Sequence, residues 1–229
     1  DVLMTDDDRI VMCMFHMKYL LICNSNGSSV YTILLEGKPF SATTITDSIV
    51  AVTLLGQRVQ VCDINRRVVL KTKQLPDPCW GIGFINNRLA VGGLGKIWTI
   101  DYQTGKITNT IQTGEDHYRL HTSGDRIISC YFKSYLTIYN LSGDNLFITT
   151  TSPSEIRGIT SFHDESLYVL CKDGRFYHVS SDGQRYTPVE TEGMSIIGGP
   201  LFWGRLCFNQ RKQKLVLRDV DKVKIFHVC

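Results

Sequence analysis

The sequence of 229 residues lacks the features that define several common classes of protein. No apolar run approaches the roughly 18 to 20 residues that a helix needs to cross a bilayer, so we expect no transmembrane helix and no membrane partner. No stretch of about ten residues combines helical periodicity with capping residues, which predicts a chain without helices. No two cysteines form a CxxC pair, which disfavours the common zinc and redox motifs.

Motifs of metal-dependent and nucleotide-dependent enzymes are also missing. The six histidines form no HExxH motif, and His117 and His121 have neither a cysteine partner nor an intervening glutamate. The segment "GGLGK", residues 92–96, lacks the spacing and the Ser or Thr of a phosphate-binding loop. Asp6 to Asp8 would need further oxygen ligands to bind a cation. We therefore expect no enzyme, no cofactor and no metal. A metal-dependent enzyme that uses His121 and the aspartates is the least favoured alternative.

The eight cysteines of the chain are spread through apolar runs such as "RIVMCMF", "VQVCDI" and "LYVLC". A thiol in such a run behaves as a small buried hydrophobe. We expect reduced thiols in the core, with metal binding or disulfides as the alternative.

The overall composition is that of an ordinary globular domain. Hydrophobic residues make up 43% and charged residues 21%, which is enough to bury one large core. The net charge of +3 and the pI of 8.4 fall short of a dedicated nucleic-acid binder. The start "DVLMTDDDRI" has neither Met nor a signal-peptide pattern, so we expect part of a longer protein whose targeting signal lies elsewhere. Separately, we expect a cytoplasmic location and oligomerisation only through regions that precede this one.

A loose internal repeat runs along the whole chain. Strand-like runs resembling "RIVMCMF" begin at Arg9, Ser48, Arg88, Arg126, Ser166 and Arg205, at spacings of 39, 40, 38, 40 and 39 residues. A period near 40 with about four strands per unit is typical of a β-propeller, in which each blade buries its faces against its neighbours. We predict an all-β, six-bladed β-propeller with four antiparallel strands per blade.

The repeat predicts one domain, residues 1–229, and a set of blade boundaries. The blades cover about 1–38, 39–77, 78–115, 116–154, 155–193 and 194–229. The third strands of the blades, from "YLLICN" to "LVLRDV", lead into Gly, Asn or Asp turns that favour hairpins. No blade is obviously built from both termini, so we expect the ring to close by packing of the first blade on the last.

This pattern resembles the NHL-like propellers at the C-termini of tripartite-motif proteins. The resemblance covers the whole chain, and the family's P-x-G-[IV] start of each blade is echoed in "DPCWGIGF" and "SEIRGITSF". The repeat signature of tryptophan–aspartate propellers is absent. The resemblance implies a preceding RING, B-box and coiled coil, and a role for this domain as the substrate-recognition arm of a ubiquitin ligase.

The predicted turns between second and third strands carry a base in every blade. These bases are His16, Lys18, Arg58, Lys96, Lys133, Lys172, Arg175, Arg211, Lys212 and Lys214. The turns between first and second strands carry acids, namely Asp6, Asp7, Asp8, Asp47, Asp125, Asp164 and Glu165. Because these two sets of turns lie on opposite faces, we predict a basic mouth that attracts an anionic partner. The alternative is that acids in the loops entering each blade neutralise the bases.

The starts of the predicted innermost strands carry Phe40, Trp80, Tyr118 and Arg157. If these side chains meet at the basic mouth, they can clasp a peptide or stack on bases. Otherwise they plug the central channel as core. The candidate partner-binding residues are Lys18, Phe40, Arg58, Trp80, Lys96, Tyr118, Lys133, Arg157, Arg175 and Lys212. We expect a protein or peptide partner, with single-stranded RNA as the alternative.

Overall fold

The computed structural model describes residues 1–130, 135–150, 154–162, 164–190, 205–218 and 222–227. Within these ranges all regular structure is β-strand, in five antiparallel sheets. The predicted all-β class is therefore confirmed. These residues contain no helix that is long and apolar enough to span a membrane.

In each sheet, strands that follow one another along the chain are hydrogen-bonded neighbours. The first sheet contains β1 (Val2–Met4), β2 (Arg9–Met14), β3 (Tyr19–Asn24) and β4 (Tyr31–Leu34). The second contains β5 (Pro39–Thr44), β6 (Ile49–Leu54), β7 (Gly56–Asp63), β8 (Val68–Ile85), β9 (Arg88–Gly93), β10 (Lys96–Asp101) and β11 (Ile107–Gln112). The third contains β12 (Arg119–Ser123), β13 (Arg126–Cys130), β14 (Tyr135–Asn140) and β15 (Asn145–Thr150). The fourth contains β16 (Ile156–Ser161), β17 (Leu167–Cys171), β18 (Phe176–Val179) and β19 (Tyr186–Val189). The fifth contains β20 (Arg205–Asn209), β21 (Lys214–Arg218) and β22 (Val223–His227).

The long strand β8 explains why the second sheet has seven strands. Residues 68–74 pair with β7, whereas residues 82–85 pair with β9, and Cys79 has a partner on each side. Two predicted four-stranded units are thus joined in one sheet, and the predicted boundary after Asp77 falls inside β8. The division of the chain into six units stays a prediction.

The fifth sheet corrects the predicted phase of the last repeat. The run that begins at Arg205 was expected to be a second strand, but it forms β20, which contacts β1 and β16 beside a central cavity. The second strands of the last two sheets begin at Leu167 and Lys214, 47 residues apart. The spacing of 39 therefore arose from matching an innermost strand, β20, to the second strands of the other sheets.

The central cavity is lined by β1, β5, the second part of β8, β12, β16 and β20. Neighbouring innermost strands approach closely at two glycines. A Cβ atom on Gly81 would lie 2.6 Å from the backbone nitrogen of Leu120, and one on Gly158 would lie 3.0 Å from the Cβ of Leu206. These glycines belong to the motifs "DPCWGIGF" and "SEIRGITSF", so this part of the motif has a packing explanation.

The first and last sheets close the ring by packing. Val216 is buried with Val2 and Met4 in one apolar cluster. Asn209 donates from its Nδ2 to the carbonyl oxygen of Met4 at 3.2 Å, and Arg218 donates from its Nη1 to that of Cys13 at 2.8 Å. Within the described strands no ladder joins the two sheets. Closure therefore follows the predicted mode.

The seven cysteines in the described ranges are free thiols, and all except Cys207 are buried. Burial raises the pKa of Cys62, Cys79 and Cys130 to about 12, so these groups remain protonated at neutral pH. The prediction of reduced core thiols is confirmed for the six buried cysteines, whereas Cys207 is only partly buried and Cys229 lies outside the described residues.

Candidate binding site at the upper mouth

The strands that line the cavity run between two faces of the molecule, and we call the ends of the cavity at these faces the upper and lower mouths. We call upper the face with the starts of the cavity-lining strands and with the turns β2–β3, β6–β7, β9–β10 and β17–β18. The lower face carries the turns β1–β2, β5–β6, β12–β13, β16–β17 and β20–β21. The assignment follows from the antiparallel order of the strands in each sheet.

Four aromatic residues meet at the upper mouth and form what we call the aromatic cluster, Phe15, Phe40, Trp80 and Tyr118. The rings of Trp80 and Tyr118 are stacked with centroids 4.4 Å apart. Phe40 lies 6.3 Å from Tyr118 and 6.4 Å from Phe15. All four are partly buried, so the cluster keeps part of its surface exposed. Three of the four predicted innermost-strand residues are thus brought together.

The same end of the cavity carries three arginines, Arg119, Arg157 and Arg205, which we call the arginine cluster. Each is at most 9% exposed, and each lines the cavity. Arg119 donates from its Nε to the carbonyl oxygen of Arg157 at 3.3 Å, and its guanidinium carbon lies 5.3 Å from the ring of Phe40. The arginine cluster therefore adjoins the aromatic cluster.

Burial and the neighbouring positive charges disfavour the charged forms of Arg119 and Arg205. Burial lowers the pKa of Arg119 to about 10, and the charge of Arg157 acts in the same direction. Burial and then Arg119 lower the pKa of Arg205 well below its ordinary value. An arginine remains protonated at neutral pH even after such shifts, so the mouth holds a group of closely spaced positive charges.

Two carboxylates lie near the arginine cluster. Glu155 binds Arg157 at 2.7 Å and also Lys172 at 3.3 Å. Asp1 lies 3.7 Å from Arg205, while its other carboxylate oxygen accepts hydrogen bonds from the hydroxyl and backbone of the strand β5. Both carboxylates are thus shared with other groups.

Ion pairs neutralise much of the predicted basic ring. Arg58 binds Glu36 at 3.3 Å, and Lys96 binds Asp77 at 2.9 Å. The alternative interpretation expected neutralisation by these two acids, of which Glu36 lies in the loop before β5, whereas Asp77 lies within β8. Lys18 and Arg175 lie exposed on the upper face. Lys133 lies outside the described residues.

The predicted position of Lys212 is wrong. Lys212 lies in the turn β20–β21, which belongs to the lower face because β20 is an innermost strand. Its neighbours are bound to the acids of the turn β1–β2, in the pairs Arg211–Asp6 at 3.0 Å and Lys214–Asp8 at 2.6 Å. The contrast predicted between a basic and an acidic face fails here, because these bases lie beside the acids.

Exposed apolar side chains occupy three adjacent turns of the upper face. Met17 in the turn β2–β3 is 61% exposed, Leu55 in β6–β7 is 50% exposed and Leu94 in β9–β10 is 45% exposed. Single exposed apolar side chains are ordinary, whereas apolar side chains grouped on one face can mark an interaction surface. We call these three residues the apolar rim. Sequence reasoning considered only the charges of these turns.

The histidines do not form a metal site among the described residues. His117 bonds through its two ring nitrogens to the hydroxyls of Ser129 and Thr113, whereas His121 bonds to Ser161 at 2.9 Å in the cavity. The described part of the chain brings no three potential metal ligands together. The predicted weakness of the His117 and His121 pair therefore has a geometric reason, because the two rings point into different environments.

Sequence reasoning missed Phe15, Arg119 and Arg205. One usable signal was the spacing of Arg119 and Arg157, which are 38 residues apart and so match the repeat. A charged residue that recurs inside apolar innermost strands indicates a functional position more strongly than a charge in a turn. Arg205 could not be found from this spacing, because it lies 48 residues after Arg157 and so does not match the repeat.

Comparisons with known proteins define the class of fold. No protein-family model and no curated protein sequence matches the chain. A WD40-like propeller chain in the "Crystal Structure of Mitotic Checkpoint Complex" is similar in structure, with a TM-score of 0.69 and 11% sequence identity. The similarity covers 99% of this chain and 86% of that one. The fold is therefore a β-propeller.

The fold by itself does not select a function. In all, 1590 chains of solved structures match this one, and propellers carry many unrelated activities. The function must therefore be argued from the upper mouth.

Proposed function

We propose that the chain is a non-catalytic recognition module that binds an extended protein segment across the upper mouth. The observation that carries this proposal is the combination of the aromatic cluster with the apolar rim on one face. Aromatic and methionine side chains are enriched at protein interfaces, and half-buried aromatic anchors supply much of the binding energy. The structural neighbour also belongs to a protein complex.

The neutralised rim favours a protein over RNA. RNA binding draws on many free lysines and arginines that contact phosphates. Arg58 and Lys96 are instead held by carboxylates, and Trp80 already stacks on Tyr118. A peptide with apolar side chains matches Met17 and Leu55 better than a polyanion does.

The proposal extends to the architecture and to the protein context. The six cavity-lining strands support six blades, in which β8 supplies the outer strand of one blade and the innermost strand of the next. The glycines of the blade-start motifs support an NHL-like assignment. On that assignment, the module is the substrate-recognition arm of a tripartite-motif ubiquitin ligase, and its location is cytoplasmic.

The test begins with selection of peptides from a random display library against the immobilised 229-residue chain. The selected peptide is then titrated into wild type, Trp80→Ala, Met17→Ser and Val30→Ser. Val30 is a matched control, because it is 60% exposed, close to the 61% of Met17, but lies in the turn β3–β4 of the lower face. We expect Trp80→Ala to weaken binding roughly 30-fold, as for an aromatic hot spot, and Met17→Ser to weaken it several-fold.

These measurements distinguish the upper mouth from the lower face as the binding surface, and a peptide from RNA as the partner. Equal binding by Trp80→Ala and wild type, or a loss confined to Val30→Ser, would refute the upper mouth as the binding surface. If no peptide is selected and short single-stranded RNA binds with an affinity that falls steeply with salt, the RNA alternative replaces the proposal.

A further inference from the structure

We propose that the arginine cluster is a binding site for one oxyanion group, a carboxylate or a phosphate. In the protein this group would belong to the bound partner, so the inference extends the proposed function and names the chemistry at one end of the ligand. The site lies inside the upper opening of the cavity, directly beside the aromatic cluster.

The first argument is the balance of charge. Arg119, Arg157 and Arg205 lie together, and Arg218 adds a fourth positive charge near Arg205. Asp1 and Glu155 are the carboxylates paired with this group in the described structure, and Glu155 also serves Lys172. Like charges this close together repel one another, so an added anion would lower the free energy of this arrangement.

The second argument is a hydrogen-bond donor without a partner. The Nη2 of Arg119 is buried and has no hydrogen-bond partner among the described residues, although its Nε and Nη1 bind the carbonyl oxygens of Arg157 and Tyr118. Arg119 as a whole is 8% exposed and lines the cavity. A buried donor that remains unpaired costs free energy, and the guanidinium fork suits the two oxygens of a carboxylate or phosphate.

The third argument is space. The cavity has a volume of about 380 Å³, within the usual range of ligand sites of roughly 300–1,000 Å³. The ring of Phe40 in the aromatic cluster lies 5.3 Å from the guanidinium carbon of Arg119, which lines this cavity. A chain lying over Trp80 and Phe40 would thus bring a terminal or side-chain oxyanion within reach of Arg119.

The test uses the 229-residue chain and two small probes, inorganic phosphate and acetate, each compared with chloride at equal ionic strength. The midpoint of thermal unfolding is measured against probe concentration. At a probe concentration about 100 times the dissociation constant, binding to the folded state alone raises the midpoint by roughly 5–10 °C. The arms with phosphate and acetate show which oxyanion the site prefers.

The variants separate a site from a general salt effect. Arg119→Gln and Arg205→Gln should lose the rise, whereas Arg126→Gln should keep it. Arg126 is a matched control because it is also 8% exposed, but it is ion-paired with Glu165 at 2.9 Å on the lower face. Phosphate excluded from protein surfaces stabilises any folded chain, so an equal rise in all variants would overturn the proposal.

A second readout covers variants that fold poorly. Competition by phosphate against the selected peptide needs only wild-type protein, and we expect the apparent affinity of an acidic peptide to fall as phosphate rises at constant ionic strength. Peptide binding that depends on Trp80 but resists phosphate and tolerates Arg119→Gln would leave the proposed function standing and overturn the oxyanion site. If no peptide binds but phosphate still raises the midpoint of thermal unfolding, the oxyanion site stands and the proposed function is overturned.

Discussion

The upper and lower mouths of the cavity are built from similar turns but use their polar residues differently. On the lower face, Asp6 and Asp8 bind Arg211 and Lys214, so charges from the first sheet are matched by charges from the last. On the upper face, Arg58 and Lys96 are paired with Glu36 and Asp77, while the arginine cluster brings three positive charges together inside the cavity. The lower pairs therefore join the first and last sheets, whereas the upper mouth is where we propose that a ligand binds.

Burial shows the same contrast for individual ion pairs. The lower pair Lys214–Asp8 has a separation of 2.6 Å and side chains 16% and 34% exposed. The upper pair Arg58–Glu36 has a separation of 3.3 Å and side chains 48% and 51% exposed. The two ion pairs thus differ in their exposure to water. We expect the more exposed pair, Arg58–Glu36, to contribute less to stability.

The largest effect that we predict concerns acid and the upper mouth. His117 precedes Tyr118 of the aromatic cluster, is 2% exposed, and burial lowers its pKa from 6.5 to about 4, although Glu115 and Asp116 oppose this shift. Between these values the unfolded chain binds more protons than the folded chain, so stability falls as the pH falls from about 6.5 to 4. The histidine should contribute about 3 kcal/mol to this loss.

Denaturant unfolding of wild type and His117→Gln at pH 7 and pH 4 measures this contribution. We expect the wild type to lose about 3 kcal/mol more than the variant over this range. His16→Gln, at an exposed position of the upper face, should retain the wild-type dependence. Parallel pH dependences of wild type and His117→Gln would mean that His117 is accessible to protons in the folded state.

A somewhat smaller effect is predicted for the close approach of β8 and β12 around the cavity. Gly81→Ala places a Cβ 2.6 Å from the backbone nitrogen of Leu120, which cannot move independently, so we expect a loss of about 2–3 kcal/mol. Gly37→Ala meets only the side chain of Leu54 at 3.4 Å and should cost less than about 1 kcal/mol. Urea unfolding compares the two, and similar losses would show that the strand contact at Gly81 is not tight.

The smallest effect tests the two ion pairs against each other. Double-mutant cycles with alanine at Asp8 and Lys214, and at Glu36 and Arg58, give the coupling energy of each pair from urea unfolding. We expect about 1 kcal/mol for the lower pair and close to zero for the upper pair, because exposed pairs are screened by water. A larger coupling at Arg58–Glu36 would reverse the assignment of structural pairs to the lower face.

Much of the fold could be predicted from the sequence because the hydrophobic pattern and the turns repeat. The second strand predicted at Arg9 is β2, and those predicted at Arg88 and Arg126 are β9 and β13. The phase of the last repeat could not be predicted. Loop length is not constrained by packing, and the run at Arg205 matches the apolar pattern of either an innermost or a second strand.

The candidate site was only partly predictable for a related reason. Phe40, Trp80 and Tyr118 were found because they begin innermost strands, whose side chains converge on one opening. The pairing of Arg58 with Glu36 joins residues from different turns, so its strength depends on distances that no pattern encodes. The same holds for Arg119. Its burial, and the lack of a hydrogen-bond partner for its Nη2 among the described residues, depend on how the neighbouring strands pack.

The most direct test of the account uses the side-chain signals of tryptophan in NMR spectra. Trp80 belongs to the aromatic cluster, whereas Trp98 is 2% exposed within the core, and Trp80→Phe assigns the first signal. On addition of the selected peptide, we predict a shift of the Trp80 indole N–H and unchanged signals from Trp98 and from the Asn209 amide of the lower face. A shift of the Asn209 amide with an unmoved Trp80 would contradict the central claim that the upper mouth is the recognition surface.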